Sequence, residues 1–292
     1  MDLKLFKKGN YLYLKNGIIE DRNVNLNDLN IQEDFDLTII HDINQSCEIE
    51  LVINENIKAN ILEIFNLDLN SDINVKKKIV CKKNSDLNIT TIEHANDGFK
   101  SHIDIITTLD DNAKINNKKL SLYLNESKES EDVLLNGKKA KYENFNVLVN
   151  TSKKVQGNDL VVTHDNIETE SIMRNYAIAK GASTLNVNTN GIVKRGAKRA
   201  NISQKSKGIL LDIDSAISAN PWLQIDEFDC LASHGAGIGA ISEEELYYLM
   251  SRGLTRQESE RIIIDGFVSP IYNEIKDEVE KEEIIKLVKT YL

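Results

Sequence analysis

Cysteine is scarce in this 292-residue chain, and so are proline, tryptophan and long apolar runs. The three cysteines, Cys47, Cys81 and Cys230, are odd in number and widely spaced. No CxxC pair occurs, which excludes a zinc ribbon or a thioredoxin-type motif. In a reducing compartment each cysteine reads first as a small buried hydrophobe. No stretch of about 18 apolar residues exists, so no membrane-spanning helix is expected. Met1 to Lys8 lacks the apolar run and small-residue cleavage site of a secretory signal, so a cytoplasmic location is expected. No GxxxxGK[ST] loop is present, so the chain is expected to bind no nucleotide itself. A basic excess is missing as well: the net charge is −10, which argues against nucleic acid or an anionic membrane as main partner. The local basic run from Lys194-Arg195 to Lys198-Arg199 reads as a solvated strand edge.

What is present divides into two regions, with expected bounds of 1–240 and 241–292. The first is rich in Asn, Ile, Asp, Val and Thr, and alternates apolar with polar residues in short runs. Examples are Glu48 to Ile53, Ile61 to Phe65, Leu87 to Ile92, Ile103 to Thr107 and Thr184 to Asn188. Such alternation marks half-buried strands, and the Asn, Asp, Gly and Ser between them supply turns. Strands recurring over some 200 residues with scarcely any helix suggest a sandwich, a barrel or a β-solenoid. Glycine-based hairpin signals are few. Asn136-Gly137 is the best of them and Asn190-Gly191 another, which together with the two prolines leans toward the solenoid. No strict repeat stands out.

The second region is helical. Ser242 to Glu245 is a capping box, and the helix after it carries Leu246, Leu249 and Met250 and stops at Gly253. Thr255 to Glu258 is a second capping box. Its helix presents Ile262, Ile263 and Phe267 and nears its end at Gly266. Pro270 suits the start of a third helix with Ile271, Ile275, Val279, Ile284 or Ile285, and Val288.

A family resemblance appears at Ser233-His234-Gly235-Ala236, followed by Ile241 to Leu254 and by Glu258 and Ile262 to Phe267. This stretch resembles the C-terminal signature of SufB and SufD proteins. His164 with Ile167 to Glu170, Gly191 to Val193, and Gly196 to Leu211 are similar to other family elements. The likeness covers 155–292 firmly and 40–155 loosely. The family's N-terminal region looks largely absent, as in a minimal member. The resemblance implies a right-handed parallel β-helix followed by a small C-terminal α-helical domain. It implies a non-enzymatic scaffold for iron–sulfur cluster assembly, handling a transient cluster. The implied partners are a SufC-type ABC ATPase, docked through the C-terminal helices, and a SufB-like subunit or a second copy, paired through the β-helix.

His234 matches the family's interface histidine and is the first candidate iron ligand. The SufB-type cysteine position falls at about Ser206, and the flanking glutamate positions are Ser233 and Gly235, so the chain reads as SufD-like or as a minimal homodimeric form. Cys230 lies four residues before His234. On a strand that spacing puts both on one face, as half of a metal site completed by a partner. Tyr247, Tyr248 and Arg252, with Ile263 and Phe267, are the candidate ATPase contacts. The competing reading is a β-solenoid enzyme with His164 and Glu168 in its site, against which the few aromatics argue.

Overall fold

The computed structural model describes residues 1–291. Strands follow one another from Tyr11 to Ala240, and three helices follow them: α1 (Glu243–Met250), α2 (Arg256–Tyr272) and α3 (Glu278–Tyr291). From Asn30–Ile31 onward successive strands alternate between two sheets, of ten and eight strands, and the neighbours within each sheet are every second strand and run parallel. The first two strands both join the ten-stranded sheet, Tyr11–Lys15 lying parallel to Phe35–Ile43. Among the described residues only the pair Tyr11–Lys15 and Ile18–Arg22 is antiparallel. The result is a parallel β-solenoid of about eight coils.

The coils stack in register, and the spacing is legible in polar ladders. Asn84 bonds Asn56 and Asn112 bonds Asn84, each 28 residues apart. Asn88 bonds Asn60 across the same step. Asn56, Asn84 and Asn112 all have positive φ, near 60°, and asparagine is the non-glycine residue that tolerates this region best. The same corner continues as Lys139, Glu168 and Arg199, also at positive φ. There the amide ladder gives way to ion pairs of Glu168 with Lys139 and Arg199. The repeat that the sequence hid is therefore a column of corner residues.

The hairpin expectations require correction. Asn136-Gly137 joins strands Ser127–Leu135 and Lys141–Asn150, which belong to different sheets, so it turns a coil corner. Asn190-Gly191 lies inside strand Thr184–Val193. A Cβ at Gly191 would stand 2.1 Å from Ile202 Cδ1, so that side chain would have to move to admit any other residue. Among the described residues the one two-residue hairpin is Asn16-Gly17, with φ of 48° and 81°, the primed-turn conformation that Asn-Gly favours.

Alternation decides what faces inward. Strand Ile73–Cys81 buries every second residue strictly. Leu, Ile and Val fill most of the interior, but charged groups are buried there too. Glu63 contacts Lys77, accepts from Thr91 Oγ1 at 3.1 Å and meets His41 Nε2 at 3.0 Å. Burial alone pushes the Glu63 carboxyl up. The Lys77 charge and the His41 contact overcome this and hold it at about 2. Further along, Lys119 contacts Glu129, and Asn158 donates to Glu129 at 3.0 Å. Ser121 and Tyr123 both donate to Glu93 at 2.7 Å, and Tyr142 donates to Glu131 at 3.1 Å. Burial and then the neighbouring Glu93 raise the Glu129 carboxyl to about 7, against the pull of Lys119.

Outside, α2 and α3 cover the outer face of the ten-stranded sheet. Ile264, Val268 and Ile271 of α2 join Ile64, Ile92, Leu120 and Val147 in one apolar cluster with Phe6 and α3. The inward stripe of α2 is thus Ile264 and Val268, not Ile262, Ile263 and Phe267. Helix α2 runs through Gly266, and Pro270 sits in its last turn rather than opening a third helix. Pro270 has no N–H to offer the Gly266 carbonyl four residues back, so α2 forgoes one intrahelical bond in that turn. Helix α3 starts eight residues later, where Asp277 accepts from the backbone of Val279 and Glu280, and it turns Val279 outward.

Removing one partner of a buried ion pair strands the other charge. Lys77→Ala is expected to lower stability by about 3–5 kcal/mol, read as the shift of the urea midpoint. The raised Glu129 carboxyl gives the opposite pH sense to an ordinary salt bridge. Its contribution is complete below the unfolded value near 4.5 and is lost as pH rises through about 7. Glu129→Gln should therefore gain melting temperature relative to the parent between pH 5 and pH 8. A constant difference across that range would show that Glu129 does not carry a proton in the fold.

Candidate functional site

Strand Cys230–Ala240 is the edge of the ten-stranded sheet, and strand Ala216–Ile225 is the edge of the other. Together they form the last coil, with nothing stacked beyond it among the described residues. Register fixes which side chains point inward. Ala200, Gln204 and Ser206 are buried in the preceding coil, and they pair with Cys230, His234 and Ala236. His234 therefore belongs to the inward row, yet no further coil covers it, and it is exposed. Ser233 and Gly235 alternate to the other face.

His234 Nδ1 lies 3.0 Å from the backbone oxygen of Pro221, on the facing edge strand. With the proton on Nδ1 this is a donated hydrogen bond, and it turns the lone pair of Nε2 outward. A metal-binding imidazole is commonly held in this way, one nitrogen tied to a carbonyl and the other free. Beneath it lie Gln204, whose amide nitrogen donates to Trp222 O at 3.2 Å, and Ser206. Gln204 Oε1 and Ser206 Oγ are buried without a protein partner. Ser206, the position matched to the SufB cysteine, is thus an inward neighbour of His234 on the adjoining strand.

Cys230 shares the inward row with His234, as expected from the spacing. Four residues of strand separate the two Cα atoms by about 13 Å, however, so they cannot ligate one ion together. The Cys230 thiol contacts Glu227 O at 3.2 Å. Burial, then the charges of Glu227 and Asp229, push its pKa up. Among the described residues no three of His, Cys, Asp and Glu converge as a metal site.

The helices present a second surface. Ser242 caps α1, and Thr255 with Glu258 forms a reciprocal capping box on α2. Arg256 grips Glu243 through two hydrogen bonds, at 3.0 and 2.6 Å, tying α1 to α2. Only Leu246 of α1 is buried, so the helix stands proud of the body. Tyr247 is 76% exposed and Tyr248 58%. Arg252 stacks on the Tyr248 ring at 5.2 Å. Met250 of the same helix and Ile262 of α2 are exposed as well. Ile263 and Phe267 are half-buried instead. Phe267 packs on Tyr176 at 5.4 Å, in a groove between helix and sheet.

His164 and Glu168 are not brought together. His164 is fully buried, with Nδ1 on Thr169 Oγ1 and Nε2 on Ser171 Oγ, both at 2.8 Å. Burial lowers its pKa to about 4. Glu168 turns outward to Lys139 and Arg199. The enzyme reading finds no site in that pair.

These features define a class: a parallel β-solenoid with an uncovered last coil bearing a free imidazole, followed directly by a helical module. Residues 41–267 match the family described as "SUF system FeS cluster assembly, SufBD core domain". The chain belongs to the SufB/SufD family. It is 32% identical over 143 residues to an iron–sulfur cluster assembly protein SufD of Bacillus subtilis, covering 49% of this chain and 33% of that protein. It is 31% identical over 157 residues to a SufBD family protein of Mycobacterium bovis, covering 53% and 19% respectively. A SufBD family protein of Staphylococcus epidermidis is 29% identical over 157 residues, covering 52% and 33%. The chain thus spans a third or less of the relatives it matches.

Proposed function

We propose that this chain is a cytoplasmic, non-enzymatic scaffold subunit for iron–sulfur cluster assembly, with the nascent cluster as its cargo. Its two ends differ. The first coils are closed by the hairpin strand Ile18–Arg22. The last coil leaves two strand edges and an inward row uncovered. An unpaired edge is a template for another strand, so this end supports pairing with a second SufB/SufD-type subunit. The observation that carries the reading is His234, oriented by Pro221 O with Nε2 free at that same end. Iron would be shared between His234 and groups of the partner, because no second ligand stands near among the described residues. Cys230 is set aside as a co-ligand of the same ion by its distance.

The ATPase surface follows from α1. Tyr247, Tyr248 and Arg252 are amphipathic, exposed and clustered, the composition of an interface centre. A SufC-type ATPase is the partner proposed for it, with Ile263 and Phe267 supporting the helices from below.

His234→Ala is expected to slow cluster assembly while leaving the complex with the ATPase intact, read by cluster absorbance in reconstitution and by co-elution. Assembly at the parent rate would assign His234 a structural role. Tyr248→Ala should weaken ATPase binding at least tenfold, about 1.4 kcal/mol or more, without changing the melting temperature. Unchanged affinity would place the docking surface elsewhere.

A further inference from the structure

Helices α2 and α3 cover only part of the ten-stranded sheet. The outward row Ile40, Ile64 and Ile92 packs in the cluster beneath them. Two residues earlier on the same strands the outer face carries Thr38, Leu62 and Thr90. Two residues earlier still it carries Asp36, Asn60 and Asn88. These rows floor a cleft of about 280 Å³. Its walls are the N-terminal segment at Lys8 and, opposite, Ile275 and Asp277 of the α2–α3 turn with Glu280 of α3.

The floor is held by its own hydrogen bonds. Asn88 donates to Asn60 at 3.1 Å, and Asn60 to Asp36 at 2.7 Å. Asn116 continues the ladder, donating to Asn88 at 3.4 Å. Each of Asn60 and Asn88 thus spends one N–H and one acceptor site, and keeps a second of each for a guest. The lysines around the cleft are already engaged. Lys276 donates to Asp36 at 2.9 Å, Lys8 stands 3.7 Å from Asp277, and Lys118 holds Glu274. The acid left over is Glu280. It is only 6% exposed, yet among the described residues no donor meets its carboxylate. A buried carboxylate without a partner loses hydration and gains nothing in return. The charged groups lining the cleft with it are Lys8, Asp36, Glu274, Lys276 and Asp277. Burial, then the charge of Asp277, raise the Glu280 carboxyl to about 7, and Lys8 opposes this only in part.

The lining defines its guest. The group that Glu280 lacks is a cation. A divalent metal takes several oxygen ligands, and among the described residues no three acidic or other metal-binding side chains converge. An ammonium needs one carboxylate and brings its own N–H donors. Lys8 and Lys276 in the same lining disfavour a second positive charge. The free donor and acceptor sites of Asn60 and Asn88 suit hydroxyls, which both give and accept, and Leu62 with Ile275 offers an apolar surface to a carbon chain. At roughly 30 Å³ per water the cleft holds about nine waters, or a guest of roughly ten to a dozen non-hydrogen atoms. We infer that this cleft binds a small hydroxylated monoamine, an amino alcohol or amino sugar, with its ammonium on Glu280 and its hydroxyls on Asn60 and Asn88. The inference stands apart from the cluster-assembly reading and does not depend on it.

The test titrates glucamine into the full chain by calorimetry. Sorbitol, in which a hydroxyl replaces the amino group, is the comparison. At pH 8 glucamine should bind at least tenfold more tightly than sorbitol, about 1.4 kcal/mol. Glu280→Gln should weaken glucamine about tenfold, bring it level with sorbitol and leave the protein folded, as read by its melting temperature. The amine stays charged between pH 6 and pH 8, whereas Glu280 takes up a proton on going down through about 7. Glucamine affinity should therefore fall about tenfold from pH 8 to pH 6 in the parent, and stay level in Glu280→Gln. The parent's preference for glucamine over sorbitol needs no variant to be read. No binding of glucamine, equal binding of the two probes, or an affinity indifferent to Glu280→Gln would overturn the inference and leave the proposed scaffold role untouched.

Discussion

Each coil of a solenoid is covered only by the coil before it and the coil after it. That constraint organises the whole molecule. In the interior coils every inward side chain rests on the neighbours above and below, and every strand is paired on both sides. At the first coil a hairpin supplies the missing cover. At the last coil nothing does, and there the inward row that elsewhere holds buried Ile, Val and Leu becomes Cys230, Ala232, His234, Ala236 and Ile238. The small residues and the imidazole lose little by facing water, whereas Ile238, left 43% exposed, would gain from being covered. The composition of the last coil is that of a surface meant to be met by something else.

The interior tells a different part of the story. Charged groups buried inside a stack of strands cost desolvation that only good partners offset. Glu63 with Lys77, and Glu129 with Lys119, come from facing sheets and so cross the core. Such pairs fix which strand stands opposite which, because a slip of one residue would turn each charge to the outside and strand its partner. Register is what brings Gln204 under His234. The buried pairs in the middle coils and the functional row at the end therefore depend on the same alignment.

Much of the architecture was legible before any coordinates. Alternating runs gave the strands, capping boxes gave the starts of α1 and α2, and the stretch from Ser233 to Phe267 gave the family. What escaped had physical causes. The 28-residue step rests on single asparagines at the corners, too sparse to stand out against an asparagine-rich background. Asn136-Gly137 has hairpin chemistry, but coil corners use the same residues, and only pairing tells them apart. The stripe of α2 was misread by one residue because Ile262, Ile263 and Ile264 are consecutive, so composition could not say which faced the sheet. Lys77, Lys119, Glu63 and Glu129 gave no sign of burial, since each is an ordinary polar position until a partner stands across from it.

The order of elements along the chain links the two proposed surfaces. Strand Cys230–Ala240 carries His234, and α1 begins at Glu243, so only two residues separate the end of the edge strand from the helix with the exposed tyrosines. Helix α2 is anchored on the sheet by Ile264, Val268 and Ile271, while α1 buries only Leu246 and holds to α2 through the exposed Arg256–Glu243 pair. Exposed ion pairs contribute little to stability, so α1 is the weakest-held part of the helical module. A partner that pulls on Tyr247 and Tyr248 would therefore displace α1 before α2, and the strain would pass through Ile241 and Ser242 into the unprotected edge strand. Interior strands resist such strain with pairing on both sides. The strand bearing His234 has pairing on one side only, which makes the last coil the place where force on the helices can alter the geometry around the imidazole proposed to hold iron.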